Sequence, residues 1–463
     1  MAEPTHTPPP PHSHHPGQDA ALLEATGTTG IAVSGALERI GRYRWTICAL
    51  LFFATTINYV DRQVLGILAP VLKREIGWTD AQSGIIFGAF TTAYALGYIF
   101  AGRLMDRIGV KKGFAIAIVT WSIAAMSHAL ARTATAFAAA RFALGLGESG
   151  NFPASIKTVA EWFPARERAL ATGIFNAGSN VGAIVAPLVV PFIARTWGWR
   201  WAFVWTGLLS STWLAVWLWV YHSPREHPRL GRAELAHIES DAAEAPVPVR
   251  WASLLRHRQT WAFAVAKFMT DPIWWFYLFW LPSFLDQRFG IHLAGVAAPL
   301  VTIYLMADIG SVGGGWLSGA LVKRGWSLNR ARKITLLIAA LLIVPTMLAP
   351  EMHAMWAAVL IVGVAAAAHQ WWSANVFTLS SDMFPRYAVG SVVGIGGFFG
   401  AIGGTLFQLL TGYVLQANGH NYQPIFVLCG LAYVSALLIV HLLAPRLQRI
   451  ELAASVPARA PAA

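Results

Sequence analysis

Charge is what this sequence has least of. Only 12% of its 463 residues are Asp, Glu, Lys or Arg, against about 25% in an ordinary soluble chain. The deficit runs the whole length, with 56% hydrophobic residues and a mean hydropathy of +0.52. A soluble domain is excluded, and a polytopic membrane protein is expected. Cysteine is as scarce. Cys48 and Cys429 lie in apolar runs near opposite ends, which excludes a disulfide framework and a cysteine-based metal site. No nucleotide-binding signature is present, so ATP is not the energy source. No Ser/His/Asp or metal constellation suggests an intramembrane enzyme. No short apolar core precedes a cleavage site, as a signal peptide would require.

What is abundant agrees. The 21 Trp and 41 Gly suit a membrane chain, because Trp favours interfaces and Gly is commoner in membrane helices than in soluble ones. The formal charge of +12 does not indicate nucleic acid, because the basic residues sit in alternate loops and form no single patch.

Residues 1–42 are rich in Pro, His, Thr and Gly and read as a disordered tail. A metal role for His6, His12, His14 and His15 is the weaker reading there. Twelve apolar runs follow, near 45–71, 82–103, 113–131, 135–159, 167–194, 200–221, 259–286, 296–322, 333–349, 353–382, 388–416 and 422–444. Each is long enough to cross about 30 Å of hydrocarbon. Twelve crossings put both ends on one side. Of the 34 Lys and Arg, 24 fall in segments on the side of the termini and six on the other, so both termini are expected in the cytoplasm. Arg62, Arg141, Lys157 and Lys267 fall inside apolar runs instead.

A polar segment, 222–258, separates two halves, 43–221 and 259–445, and a short tail, 446–463, closes the chain. The halves echo each other. Glu161-Trp162-Phe163-Pro164 recurs as Asp382-Met383-Phe384-Pro385, and Gly178 and Gly182 match Gly400 and Gly404. The expected fold is all-α and integral to the membrane, with two six-helix halves related by pseudo-twofold symmetry.

Ionisable groups at membrane depth cost roughly 2.5–3.5 kcal/mol each and are rarely idle. Asp61 and Arg62 are adjacent on the first helix, about 100° apart, so each needs a partner other than its neighbour. Arg62 offers a planar fork that suits a carboxylate. Arg141 and Glu148 are seven residues apart on one helix face, and Arg141 is placed to pair with Asp61 or Glu148. Asn58 shares a face with Asp61 and Arg62.

The segment Gly102-Arg103-Leu104-Met105-Asp106-Arg107-Ile108-Gly109-Val110-Lys111-Lys112 matches every defined position of the loop 2–3 signature of the major facilitator superfamily. Arg141 to Gly147 resembles that family's looser helix 4 signature. Within the superfamily, Asn58 to Gln63, Gly147 to Pro153 and Trp162-Phe163-Pro164 resemble the anion:cation symporters. Phe268 to Pro282 and Ala368 to Asn375 resemble the bacterial hexuronate transporters. The resemblance covers about residues 43–445.

It implies the major facilitator fold, a bacterial inner-membrane location and proton-coupled symport of a sugar acid, most simply galacturonate or glucuronate, by alternating access. Protons are the coupling ion and no other cofactor is implied. The partners are a small organic anion and the lipid bilayer, with the protein a monomer. Arg62 would bind the substrate carboxylate, Asp61 and Glu148 would exchange the proton, and Arg141 would assist them. Tyr94 and one of Asn176, Ser179 and Asn180 would contact substrate from the first half. Trp274, Trp275, Gln370, Trp372, Ser373 and Asn375 would present aromatic faces and hydroxyl-matching groups from the second. Gly102, Asp106 and Arg107 would form a conformational latch, with Asp106 at the start of the eleventh helix. Alternative readings are another organic anion (an aldonate, an aromatic acid or a dicarboxylate) and a transporter-like sensor.

Overall fold

The computed structural model describes residues 41–240 and 251–451. The histidine-bearing tail lies outside the described residues, as does most of the C-terminal tail. The long elements are α1 (Tyr43–Ile76), α2 (Asp80–Ile108), α3 (Val110–Ser127), α4 (Ala134–Glu148), α5 (Asn151–Trp162), α6 (Ala165–Trp197) and α7 (Trp199–Val220). Two short helices follow in the central segment, α8 (Arg232–Ile238) and α9 (Trp251–Leu254). The second half holds α10 (Arg258–Phe289), α11 (Ala297–Lys323), α12 (Leu328–Ile343), α13 (Met355–Met383), α14 (Arg386–Ala417) and α15 (Gln423–Leu443). Among the described residues, nine helices are long and apolar enough to cross a membrane. Three further units of similar length, α1, the α4–α5 pair and α10, hold buried charge.

Local chemistry sets the ends. Thr79 and Gln82 form a capping box that starts α2, satisfying amides that the first turn leaves free. Gly77 and Gly109 end α1 and α2 at φ of 79° and 80°, a region in which a Cβ is strained. The first turn of α1 is capped from far away in sequence. Glu234, on α8, accepts the backbone N–H groups of Tyr43 and Arg44 at 3.1 and 3.0 Å. The polar segment expected only to link the halves therefore docks on the first of them. The fourth apolar run, expected as one helix over 135–159, is broken between α4 and α5 directly after Glu148. Glycines crowd this joint. A Cβ on Gly145 would meet the Phe90 carbonyl at 2.4 Å, and one on Gly147 the Trp121 amide nitrogen at 2.6 Å.

The internal repeat is structural. α1 packs on α6 as α10 packs on α14, α2 on α4 as α11 on α13, and α3 on α7 as α12 on α15. In the first half the matched glycines Gly178 and Gly182 mark a close backbone approach, whereas their counterparts Gly400 and Gly404 face side chains and the approach falls at Gly403. A Cβ on Gly178 would lie 2.3 Å from the Phe52 carbonyl, and one on Gly403, beside Gly404, 2.2 Å from the Phe268 carbonyl.

The halves meet mainly at the face opposite the termini, the far face. There, Arg74 bridges to Asp286 at 2.7 Å, and His420 pairs with Asp80. Deeper in, the Thr91 and Thr405 hydroxyls lie 3.0 Å apart, and Asn180 faces Asp308 near mid-depth. At the terminal face, the ion pairs Arg44–Glu167, Lys157–Asp106 and Arg332–Asp382 each stay within one half, as does Lys267–Asp271 deeper along α10. Among the described residues, the ion pairs that join the halves lie at the far face, and none of those at the terminal face crosses between the halves.

Candidate functional site

The site is built on α1. Arg62 and Glu148 are 2% and 0% exposed. Arg62 Nε donates to Glu148 Oε2 at 2.9 Å, and Nη2 donates to Asn58 Oδ1 at 3.0 Å. Asn58 reaches it because residues four apart share a helix face. Four rings surround the guanidinium, with centroids 4.4 Å (Tyr59), 5.3 Å (Phe90), 4.9 Å (Tyr94) and 5.1 Å (Trp275) from its carbon. Desolvated cation–π contacts are worth up to about 2 kcal/mol each. The rings hold the cation in place while leaving its N–H groups for anions.

Asp61 points elsewhere. Ser210, on α7, donates to its Oδ2 at 2.7 Å. Arg141 pairs with neither acid in this conformation. Both of its Nη atoms donate to the Arg62 carbonyl at 3.1 Å, and its guanidinium lies 4.7 Å from the Phe90 centroid and 5.1 Å from that of Phe279. The two acids and two bases sum to zero when all are ionised. Asn58 Nδ2, Asp61 Oδ1, Arg141 Nε, Glu148 Oε1 and both polar atoms of Gln63 are buried without a partner. Buried polar atoms are ordinarily hydrogen-bonded, so this level of α1 and α4 has capacity for a polar ligand or for rearrangement.

Of the residues expected to touch substrate, Arg62, Asn58, Tyr94 and Trp275 converge, with Glu148 beside them. Trp274 does not join them. It stacks on His369 at 5.2 Å and 6°, and His369 is bound in turn to the Tyr433 hydroxyl. Trp372 turns to Tyr433 as well, at 5.4 Å, within the second half. Asn375 ties α13 to α11 by donating to the Gly314 carbonyl at 3.2 Å. Ser179 donates to the Asn176 carbonyl of its own helix at 2.6 Å, and the Asn176 side chain is exposed. Gln370 and Ser373 are half-buried on α13. Tyr59, Phe90 and Ser210 are additions. Tyr59 was findable, three residues before Arg62 on the same face. Phe90 and Ser210 reach the site only through helix packing.

A family model for the Major Facilitator Superfamily matches residues 51–408. The chain belongs to the major facilitator superfamily. It is a multi-pass membrane transporter, not an enzyme. It is 31% identical over 429 residues to the "Hexuronate transporter" of Escherichia coli (strain K12), covering 90% of this chain and 98% of that one. It is 29% identical over 429 residues to the "Probable galactarate/D-glucarate transporter GudP" of Bacillus subtilis (strain 168), covering 88% and 93%. The inward-open structure of the xylose transporter XylE from E. coli superposes with a TM-score of 0.68 at 15% identity, covering 87% of this chain and 96% of that one, a likeness of fold.

The superfamily's loop 2–3 signature has a definite arrangement here. Asp106, 71% exposed, accepts from Lys157 Nζ at 2.8 Å, and Lys157 also donates to the Met105 carbonyl at 2.9 Å. In this conformation Asp106 is engaged within its own half, away from α14. Arg107 is exposed. A close helix approach was expected at Gly102, but a Cβ there would meet nothing within 4 Å. The reason is its direction: α2 meets α3 and α5 at this level through Met105, and Gly102 lies on another side of the helix.

Proposed function

We propose that the protein is a proton-coupled symporter that imports a sugar acid, a hexuronate such as galacturonate or glucuronate, across a bacterial inner membrane. The observation that carries this reading is the Arg62–Glu148 pair inside its aromatic cage. The names of the two relatives, a hexuronate and an aldarate transporter, support the sugar acid.

The coupling follows from desolvation. Removing one partner of a buried ion pair costs about 3–5 kcal/mol, because the other is left as an uncompensated charge. A substrate carboxylate that takes the Arg62 fork displaces Glu148. Glu148 can leave Arg62 cheaply only by accepting a proton. One proton and one monoanion then enter together: protonation takes the cluster of Asp61, Arg62, Arg141 and Glu148 to +1, and the bound carboxylate brings the sum back to zero. Asp61, hydrogen-bonded by Ser210, is the second proton site in this scheme. With twelve crossings and both termini in the cytoplasm, a terminal face that no ion pair among the described residues bridges makes this the inward-facing state. Release of Asp106 from Lys157 would then precede closure of that face. The halves rock about the site to expose it alternately.

The test is uptake of labelled galacturonate and gluconate into liposomes holding the purified protein, with and without an inward proton gradient. Gradient-driven accumulation of galacturonate is expected. Accumulation of neither sugar acid refutes symport. Glu148→Gln is expected to retain galacturonate exchange and to lose proton-driven accumulation, and full accumulation by that variant refutes the coupling role.

A further inference from the structure

A second buried ion pair lies in the other half. Lys267 Nζ and Asp271 Oδ2 are 2.8 Å apart, one turn from each other on α10, with side chains 9% and 19% exposed. α14 makes the space for them. A Cβ on Gly396 would come within 3.2 Å of Lys267 Cγ, one on Gly400 within 2.4 Å of Asp271 Oδ2, and one on Gly404 within 3.5 Å of Trp275 Cδ1. The two helices run in constant register, and each turn of α14 offers a glycine to the next member of a ladder Lys267, Asp271, Trp275.

The ladder leads to the site. Trp275 is its upper rung, and its ring lies 5.1 Å from the Arg62 guanidinium carbon. Across the seam, Tyr94 packs edge-on against Trp275 at 5.7 Å and against Tyr98 at 4.9 Å. α2 and α10 run in opposite directions. One turn from Tyr94 to Tyr98 and one from Trp275 to Asp271 therefore descend together toward the terminal face, by about 5.4 Å. A six-carbon acid held by its carboxylate on Arg62 has its other end at this level.

Resting on the reading of Arg62 as the carboxylate anchor, we propose that Lys267 and Asp271 read the distal end of the substrate and select monoacids over diacids. The pair is neutral as a unit. Asp271 accepts hydrogen bonds from hydroxyls and Lys267 donates to them, which matches the polyol or hemiacetal end of a uronate. The second carboxylate of an aldarate would instead meet Asp271. Two like charges in a weakly polar site disfavour each other strongly, and the charge of Lys267 is already balanced by Asp271.

The experiment is calorimetric titration of the full-length purified protein with galacturonate and with galactarate, the diacid on the same carbon skeleton. Wild type is expected to bind galacturonate at least tenfold more tightly. Asp271→Asn frees Lys267 as a cation, and the ratio is expected to shift toward galactarate by at least tenfold. The double variant Lys267→Gln/Asp271→Asn, which buries no charge at this point, guards against misfolding of the single one. Its ratio is expected to fall to within threefold of unity. A wild-type preference for galactarate overturns the proposal, as does a ratio unmoved in either folded variant. Failure of wild type to bind galacturonate at all defeats the Arg62 reading, and the proposal with it. Normal galacturonate binding with an unmoved ratio defeats the proposal alone.

Discussion

The far-face seam decides which side the site faces, and one methyl group is enough to test it. A Cβ on Gly84 of α2 would stand 2.6 Å from the Gln408 carbonyl oxygen and 3.1 and 3.3 Å from Gly412 Cα and N on α14. All three are backbone atoms and cannot rotate aside. Overpacking of this kind costs about 1–3 kcal/mol. Gly84→Ala imposes it only while the seam is closed, so the closed seam should lose roughly five- to 150-fold against the state open at the far face. The assay is pulsed EPR between spin labels on Cys at Arg195 and Gln416, exposed positions near the far ends of α6 and α14. The native Cys48 and Cys429 are buried and should not take the label. The far-face distance is expected to lengthen in Gly84→Ala. Gly102→Ala, on the same helix but with nothing within 4 Å, is expected to match wild type. Identical distances in wild type and folded Gly84→Ala would refute the reasoning, as would equal shifts in both variants.

Two further outcomes are expected. Arg62→Lys keeps the charge and loses the planar fork, so galacturonate binding measured by calorimetry should weaken at least tenfold, about 1.4 kcal/mol; an unchanged Kd refutes a bidentate anchor. At the terminal face, outside the spans, the Arg44 guanidinium donating to Glu167 at 2.8 Å holds that carboxyl below the usual carboxylate range. Its stabilisation is therefore present above the unfolded value of about 4.3 and is lost as pH falls through the folded value. The Tm of wild type should exceed that of Glu167→Gln near neutral pH and converge with it in acid, and parallel melting curves would exclude the linkage.

The sequence was most readable where a single physical constraint acts alone. Hydrocarbon thickness sets the length of apolar runs, so the helices and the two halves were legible from the charge deficit and the repeat. The cost of buried charge singled out Asp61, Arg62, Arg141 and Glu148 without any structure. Partners were not legible. Arg141 had two acids in reach along the sequence, yet it binds the Arg62 carbonyl, a choice made by the crossing of α1 and α4. The second half was harder still. The polar residues of α13, among them His369, Gln370, Ser373 and Asn375, are spread around its circumference, so no stripe marks a single polar face. Trp372 and Asn375, with the right chemistry for a sugar, pack within their own half. The break after Glu148 was hidden because glycine both interrupts helices and lets them pack closely, and the sequence does not say which role Gly150 takes.

The seam and the site share residues, which bears on how binding and movement are linked. A Cβ on Gly404 would lie 3.5 Å from Thr91 Cγ2 and 3.5 Å from Trp275 Cδ1. Thr91 belongs to the seam through Thr405, and Trp275 covers Arg62. Opening the far face would separate α2 from the second half and draw Phe90 and Tyr94 away from Trp275, which packs on them at 5.8 and 5.7 Å. The cage around Arg62 therefore differs between the two states. A ligand shifts an equilibrium only by its differential affinity for the states, and an anion on Arg62 meets that condition because one ring of the cage is held by the seam. Glu148 is an anion on Arg62 as well. In the proposed cycle, exchanging it for substrate would leave the charge at the guanidinium unchanged but replace a group tethered to α4 with one that reaches toward α10. The Glu148 hydrogen bond ties Arg62 to its own half, and a substrate spanning from Arg62 to α10 would add a polar link to the second half beside the Trp275 contact.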